Sequence, residues 1–259
     1  MSLEPTKVAG WATGFRNLLD KELGSWWRTR RWLVHLILWQ VVIAGFILLI
    51  SLEQRGNGSS KGAVEEVLQV FFQAGGFFSL VGAILVTQGA IVGERKSGTA
   101  AWVLTKPTTR ASFVLSKFVG ITASFLLLSL VLPAASVYLI CQIVFGQVPP
   151  LAGFTEALGI LALHQVFYVA FALMLGAFFR ARGPVAGVSL GFWLAGNIVP
   201  NYLPKWLMLV MPWPLARAAA SIAVWQPVPM KVWIPSASTA VLAGIWILIA
   251  LWRFEREEF

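Results

Sequence analysis

Residues 118–145, FVGITASFLLLSLVLPAASVYLICQIVF, run for 28 positions without an Asp, Glu, Lys, Arg or His. A helix rises about 1.5 Å per residue, so about 20 apolar residues cover the roughly 30 Å hydrocarbon core of a bilayer. The segment therefore predicts a membrane-crossing helix. Five other stretches read the same way: roughly Trp32 to Leu52, Val67 to Val92, Ala157 to Phe179, Pro184 to Leu203 and Ile234 to Trp252. The fourth and fifth spans in chain order are separated only by Arg180, Ala181, Arg182 and Gly183, which predicts a tight helical hairpin.

Composition agrees with these runs. Of 259 residues, 58% are hydrophobic and 12% charged, and the mean hydropathy is +0.77. A soluble domain carries about a quarter charged residues and needs them to cover its surface. The single Cys141 excludes a disulfide within the chain and a cysteine-built metal cluster. The net charge of +9 would suggest nucleic acid in a soluble protein, but its distribution points elsewhere. With the N-terminus inside, six Lys and Arg precede the first span, five lie between the second and third, two between the fourth and fifth, and two in the tail. Only Arg55, Lys61, Lys205, Arg217 and Lys231 fall outside. Positive charge stays cytoplasmic during insertion, so both termini are expected in the cytoplasm and no nucleic acid is needed to account for the charge.

Ahead of the first span, Trp11, Phe15, Leu18, Leu19, Leu23, Trp26 and Trp27 form one apolar stripe at helical spacing, with Arg16, Asp20, Lys21 and Arg28 on other faces. This predicts an amphipathic helix in the inner interface, turning into the membrane at Arg28 to Arg31. The expected fold is thus an all-α integral membrane protein. It has an N-terminal segment at 1–31 with this interfacial helix, a six-helix domain at 32–252 and a cytoplasmic tail at 253–259.

No span carries a charge away from its ends, so the intramembrane ion-coupling group usual in secondary carriers is missing. Uncharged polar residues do occur there. Gln73, Gln88, His164, Gln165 and Asn197 either line a pathway or cross-link helices by hydrogen bonds. His35 and His164 lie at different depths, and neither has a second His, Cys or carboxylate at ligand spacing, so no metal site is expected. No nucleophile, base and carboxylate set gathers at one face, so no catalytic residues are expected either. Glycines recur at Gly75, Gly82 and Gly89 in the second span and at Gly183, Gly187 and Gly191 in the fifth. Such ladders let backbones approach closely, either within one subunit or against a second.

The longest inner loop, 93–117, contains Gly98 to break the incoming helix and Pro107 to stop the next one. Between them a helix of about seven residues carries Trp102, Val103 and Leu104, which either dock a partner or lie on the bilayer.

The run ERKSGTAAWVLTKPTTRASFVLSKF resembles the loop between the second and third spans of type 2 ABC transporter permeases, although it has Ala100, Ala101 and Trp102 where acidic residues are frequent. DKELGSWWRTRRWLV is similar to that family's N-terminal elbow helix, and ALMLGAFFRARGPVAGVSLGF to its hairpin between the fourth and fifth spans. The resemblance implies a coupling helix that carries Glu94, Arg95, Gly98, Thr99, Trp102 and Leu104 into a groove of a cytoplasmic ABC ATPase. It implies two such ATPases, holding ATP and Mg2+, and a second permease, together an exporter in a prokaryotic inner membrane. It also implies short re-entrant helices in the outer segment 204–233. The chain has no Gly-x-x-x-x-Gly-Lys-Ser/Thr phosphate loop, and its inner pieces are too short for a nucleotide-binding domain, so any ATPase must be another chain that uses this one as its membrane partner. A non-transporting anchor for an ATPase-linked envelope complex is the alternative, and a channel or lipid-handling protein that needs no ATP is a third.

Overall fold

A computed structural model describes residues 10, 12–56, 59–198, 202, 204–224 and 231–257, with the side chains of 101, 104 and 205 left out. The described residues form helices and connecting turns only.

Helix α1 (Phe15–Trp27) is followed by a turn and by α2 (Arg31–Glu53). The stripe on α1 is used for packing: Leu18 and Trp26 are buried and α1 lies along α5 (Arg110–Phe145). Between them come α3 (Ser60–Lys96) and the short α4 (Thr99–Leu104). Ser59 caps α3 by accepting from the Gly62 amide at 3.2 Å, and Thr109 caps α5 by accepting from the Ser112 amide at 3.1 Å. Each satisfies one of the donors that a helix start leaves orphaned.

Next come α6 (Leu151–Phe178), α7 (Arg182–Ile198), α8 (Lys205–Val210), α9 (Leu215–Ala223) and α10 (Trp233–Glu255). Helix α6 is central. In its most apolar stretch 72% of residues are buried, against 22% in α2 and 28% in α10, and it packs on α3, α5, α7, α9 and α10. Its hydrophobic neighbours form two adjoining clusters, one around Phe71, Phe125 and Leu161, the other around Phe113, Phe167 and Phe254.

The peripheral helices turn apolar side chains outward. Val34, Ile37, Val41 and Leu49 on α2 and Val241 and Leu248 on α10 are exposed. Such a belt suits lipid tails and would be a liability in water.

Five helices, α2, α3, α5, α6 and α10, are long and apolar enough to cross a membrane. Helix α7 has 17 residues, which at 1.5 Å each falls short of a roughly 30 Å core. The expected fifth span continued to Leu203, but 199–201 and 203 lie outside the described residues. In the expected outer segment, α8 packs on α10 and α9 packs on α6, burying Leu215, Ala219 and Ala220; 225–230 are not described.

Three long helices each widen into a π-helical turn: Gln40–Gly45 in α2, Phe71–Gly75 in α3 and Leu127–Val131 in α5. In α5 the wide turn directly precedes Pro133, whose missing amide would leave the carbonyl four residues back, that of Ser129, without its donor. An inserted turn is the usual way a long helix absorbs such an interruption.

Candidate functional site

The loop and helix ends at one end of the bundle carry most of the charge, and three structures meet there. Helix α3 ends at Lys96, Ser97 leads to Gly98 at φ +72°, and α4 starts at Thr99. That left-handed backbone is costly for any residue with a Cβ, so Gly98 is what allows the chain to reverse so sharply. The Thr99 hydroxyl lies 2.8 Å from that of Ser97.

The first structure is an ion cluster. Lys117 Nζ lies 2.6 Å from Glu94 Oε1 and 2.9 Å from Glu22 Oε1, and Lys21 Nζ lies 2.9 Å from the same Glu94 oxygen. Lys117 is almost fully buried, 3% exposed at the side chain, whereas Lys21 is 44% exposed. A buried ammonium needs such partners. The cluster ties α1, α3 and α5 together.

The second is a clamp on helix ends. Arg95 donates to the carbonyls of Gly176 (3.3 Å), Ala177 (3.2 Å) and Phe179 (2.9 Å), where α6 ends, and to Glu257 Oε2 at 2.7 Å. Arg110 donates to the carbonyls of Phe254 and Glu255 at the end of α10. Cations placed on the last carbonyls of a helix satisfy orphan acceptors and suit its dipole.

The third is α4 itself. It buries Ala100 and Val103 in the core, so Val103 is not the exposed group expected from the sequence; Trp102, 63% exposed, is. Lys106 Nζ sits 5.1 Å from the Trp102 ring centroid. The Leu104 side chain lies outside the described residues. Of the expected coupling residues, Glu94 and Arg95 are thus engaged within the chain, Gly98 and Thr99 shape the turn, and Trp102 faces outward.

The glycine ladders separate. A Cβ at Gly82 would stand 2.2 Å from the Trp39 ring, so that glycine exists to admit Trp39, which meets Phe125 edge-on at 5.6 Å. Gly75 faces Ile43 and Gly89 faces Arg182. On α7, a Cβ at Gly183, Gly187 or Gly191 would meet nothing within 4 Å among the described residues.

The uncharged polar residues also divide. Gln73, His164 and Asn197 line one cavity of about 170 Å³ with Trp213 and Arg217. Both His164 nitrogens and the Tyr168 hydroxyl are buried without a partner among the described residues. Gln165 instead donates to Ser79 Oγ at 2.6 Å, and Gln88 lines a separate, larger cavity at the charged end. The sequence names Lys21 only as part of the polar side of the first helix and does not single out Glu22 or Glu257, whose only signal is an acidic residue among the basic ones at the ends of apolar runs. No group of three or more His, Cys, Asp or Glu able to hold a metal occurs among the described residues.

Comparison with known proteins bears on the chain as a whole. Residues 16–216 match the family model described as ABC-2 family transporter protein. The chain is 28% identical over 197 residues to the probable ABC transporter permease protein NosY of Pseudomonas aeruginosa, covering 66% of this chain and 69% of that one. It is 27% identical over 222 residues to the protein of the same name from Stutzerimonas stutzeri, covering 78% and 79%. It is 25% identical over 189 residues to the uncharacterized transmembrane protein YxlG of Bacillus subtilis, covering 70% of each.

Proposed function

The chain belongs to the ABC-2 transporter family as a membrane permease subunit of an ABC transporter, and from that premise we propose that it exports its substrate using ATP hydrolysed by a separate cytoplasmic ATPase. In this reading the membrane is a prokaryotic inner membrane. The chain crosses it six times, α7 continuing through the residues after Ile198, with both termini in the cytoplasm. The charge distribution, fifteen Lys and Arg against five, supports that orientation.

The observation that carries the reading is the two-sided character of α4. One face is locked into the core through Ala100 and Val103, and the other presents Trp102. A large exposed aromatic on a rigid, braced element is the usual anchor of an interface. Force applied at Trp102 would pass through Glu94 to α1 and α5 and through Arg95 to α6 and the end of α10. ATP and Mg2+ would be held by the partner, with two ATPase copies serving two permeases. The open glycine face of α7 is the surface we assign to the second permease, and the cavity at Gln73, His164 and Asn197 is a candidate stretch of the pathway.

The test is purification from the native membrane. A stoichiometric ATPase is expected with the wild type, and its reproducible absence would overturn the proposal. Replacing Gly98 and Glu94 then separates transport from mere anchoring. Loss of vanadate-sensitive transport with assembly retained is the expected result, and loss of assembly instead would make the loop an anchor.

A further inference from the structure

We propose that the open cavity lined by α1, α2, α3, α5 and the start of α7 binds the phosphate-bearing headgroup of a net-negative membrane lipid. The cavity measures about 550 Å³, within the range of small-molecule sites. Its charged lining consists of Lys21, Arg31, Lys117 and Arg182 against Glu22 and Glu94, leaving two positive charges uncompensated. Lys117 and Lys21 are consumed by the two carboxylates. Among the described residues, Arg31 and Arg182 have no carboxylate within 4.0 Å.

The two arginines are placed to receive an anion. The Arg31 guanidinium carbon lies 4.2 Å from the Trp26 ring centroid, a cation–π contact that holds it at the cavity wall, where Glu22 attracts it from beyond ion-pair distance. His35, whose ring lies 4.9 Å from that of Trp26, has a buried Nδ1 with no partner and also lines the cavity. Arg182 lies against Gly89 and Gly93 of α3 and lines the same cavity.

Lipid rather than a free ion is indicated by the rest of the wall. Leu85, Val86 and Ile121 continue the lining into the apolar part of the bundle, and Leu85 is 52% exposed on the outer flank of α3. A headgroup seated between the arginines could therefore run its acyl chains out past Leu85 into the bilayer. Basic pockets between membrane helices at the headgroup level suit anionic lipids in this way. The proposal needs only that this end of the bundle meet a headgroup region, and it stands or falls independently of the transport reading.

The test is native mass spectrometry of the purified full chain titrated with phosphatidylglycerol, with phosphatidylcholine and inorganic phosphate as separate arms. The wild type is expected to retain phosphatidylglycerol, and R31Q/R182Q to bind it roughly thirtyfold more weakly, two basic contacts having been removed. R16Q/R28Q, which takes the same charge from exposed positions on α1 and at its C-terminal cap, should bind as the wild type does. If the double variant does not fold, R182Q alone, on the exposed first turn of α7, is expected to lose roughly fivefold. Unchanged phosphatidylglycerol binding in these cavity variants would overturn the proposal. So would inorganic phosphate that binds as tightly as the lipid and displaces it through the same arginines, since that is a free-anion site.

Discussion

Arg95 and Glu257, 162 residues apart, face each other as a two-point ion pair, Nη2 to Oε2 at 2.7 Å and Nε to Oε1 at 2.7 Å. The last described residues of the chain are thereby fastened to the segment that leads into α4, and both side chains are nearly buried, 14% and 12% exposed. Replacing Glu257 by Gln leaves the guanidinium its three carbonyl partners but removes the opposite charge. A loss of about 2 kcal/mol is expected, in line with hydrogen bonds to charged groups. Thermal denaturation in detergent measures it, and an unchanged midpoint would show that the carbonyls alone hold Arg95.

Lys117 and Lys21 share Glu94 but should not be equivalent. Lys117→Met removes the 2.9 Å partner of Glu22 and the 2.6 Å partner of Glu94, leaving both carboxylates to the half-exposed Lys21, and is expected to cost about 3 kcal/mol. Lys21→Met removes a half-exposed partner and is expected to cost under about 1 kcal/mol. The two variants compared in one denaturation series check the ranking; equal losses would mean the cluster is solvated throughout.

Gly82 and Gly187 belong to similar ladders and should respond oppositely. Gly82→Ala drives a methyl into the Trp39 ring and is expected to destabilise by roughly 1–3 kcal/mol. Gly187→Ala meets open space in a helix interior, where Ala is the better helix former by roughly 1 kcal/mol, so the single chain should be unharmed. Gly187→Leu and Gly191→Leu should lower dimer recovery in detergent. Dimers recovered at wild-type level from both would remove α7 from the subunit interface.

Trp102→Ala should leave the midpoint of the isolated chain nearly unchanged, since that ring is largely exposed, with the Lys106 ammonium 5.1 Å from its centroid. Its effect is expected on the partner. Truncating a central aromatic anchor costs about 2 kcal/mol or more, which is roughly thirtyfold in affinity for the ATPase. Pull-down of the ATPase with wild-type and W102A chains measures this, and equal recovery would move the docking surface elsewhere.

The apolar runs were legible because hydrophobicity is a local property. Each of the five long helices contains an uncharged stretch that length arithmetic picks out. The turn at Gly98 was legible for a similar reason, since one residue type suits that backbone. The ion cluster was not, because Glu22, Glu94 and Lys117 meet only through the packing of three helices. The sequence also grouped Trp102, Val103 and Leu104 as one exposed knob. Neighbouring residues of a helix point about 100° apart, so three in a row cannot share a face, and the core takes Val103. The two glycine ladders look alike as text. Which one is occupied depends on Trp39, a residue more than forty positions from Gly82 in the chain.

The wide turns in α2, α3 and α5 bear on how these rods behave as mechanical parts. Each turn holds one residue beyond the regular repeat, and moving that extra residue along the helix exchanges hydrogen bonds without a net loss of them. Each such step turns the intervening residue by about 100° while the ends stay seated. In each of the three helices the wide turn is thus the point at which the half beside the charged end could turn relative to the half beyond it at the smallest cost in backbone hydrogen bonds.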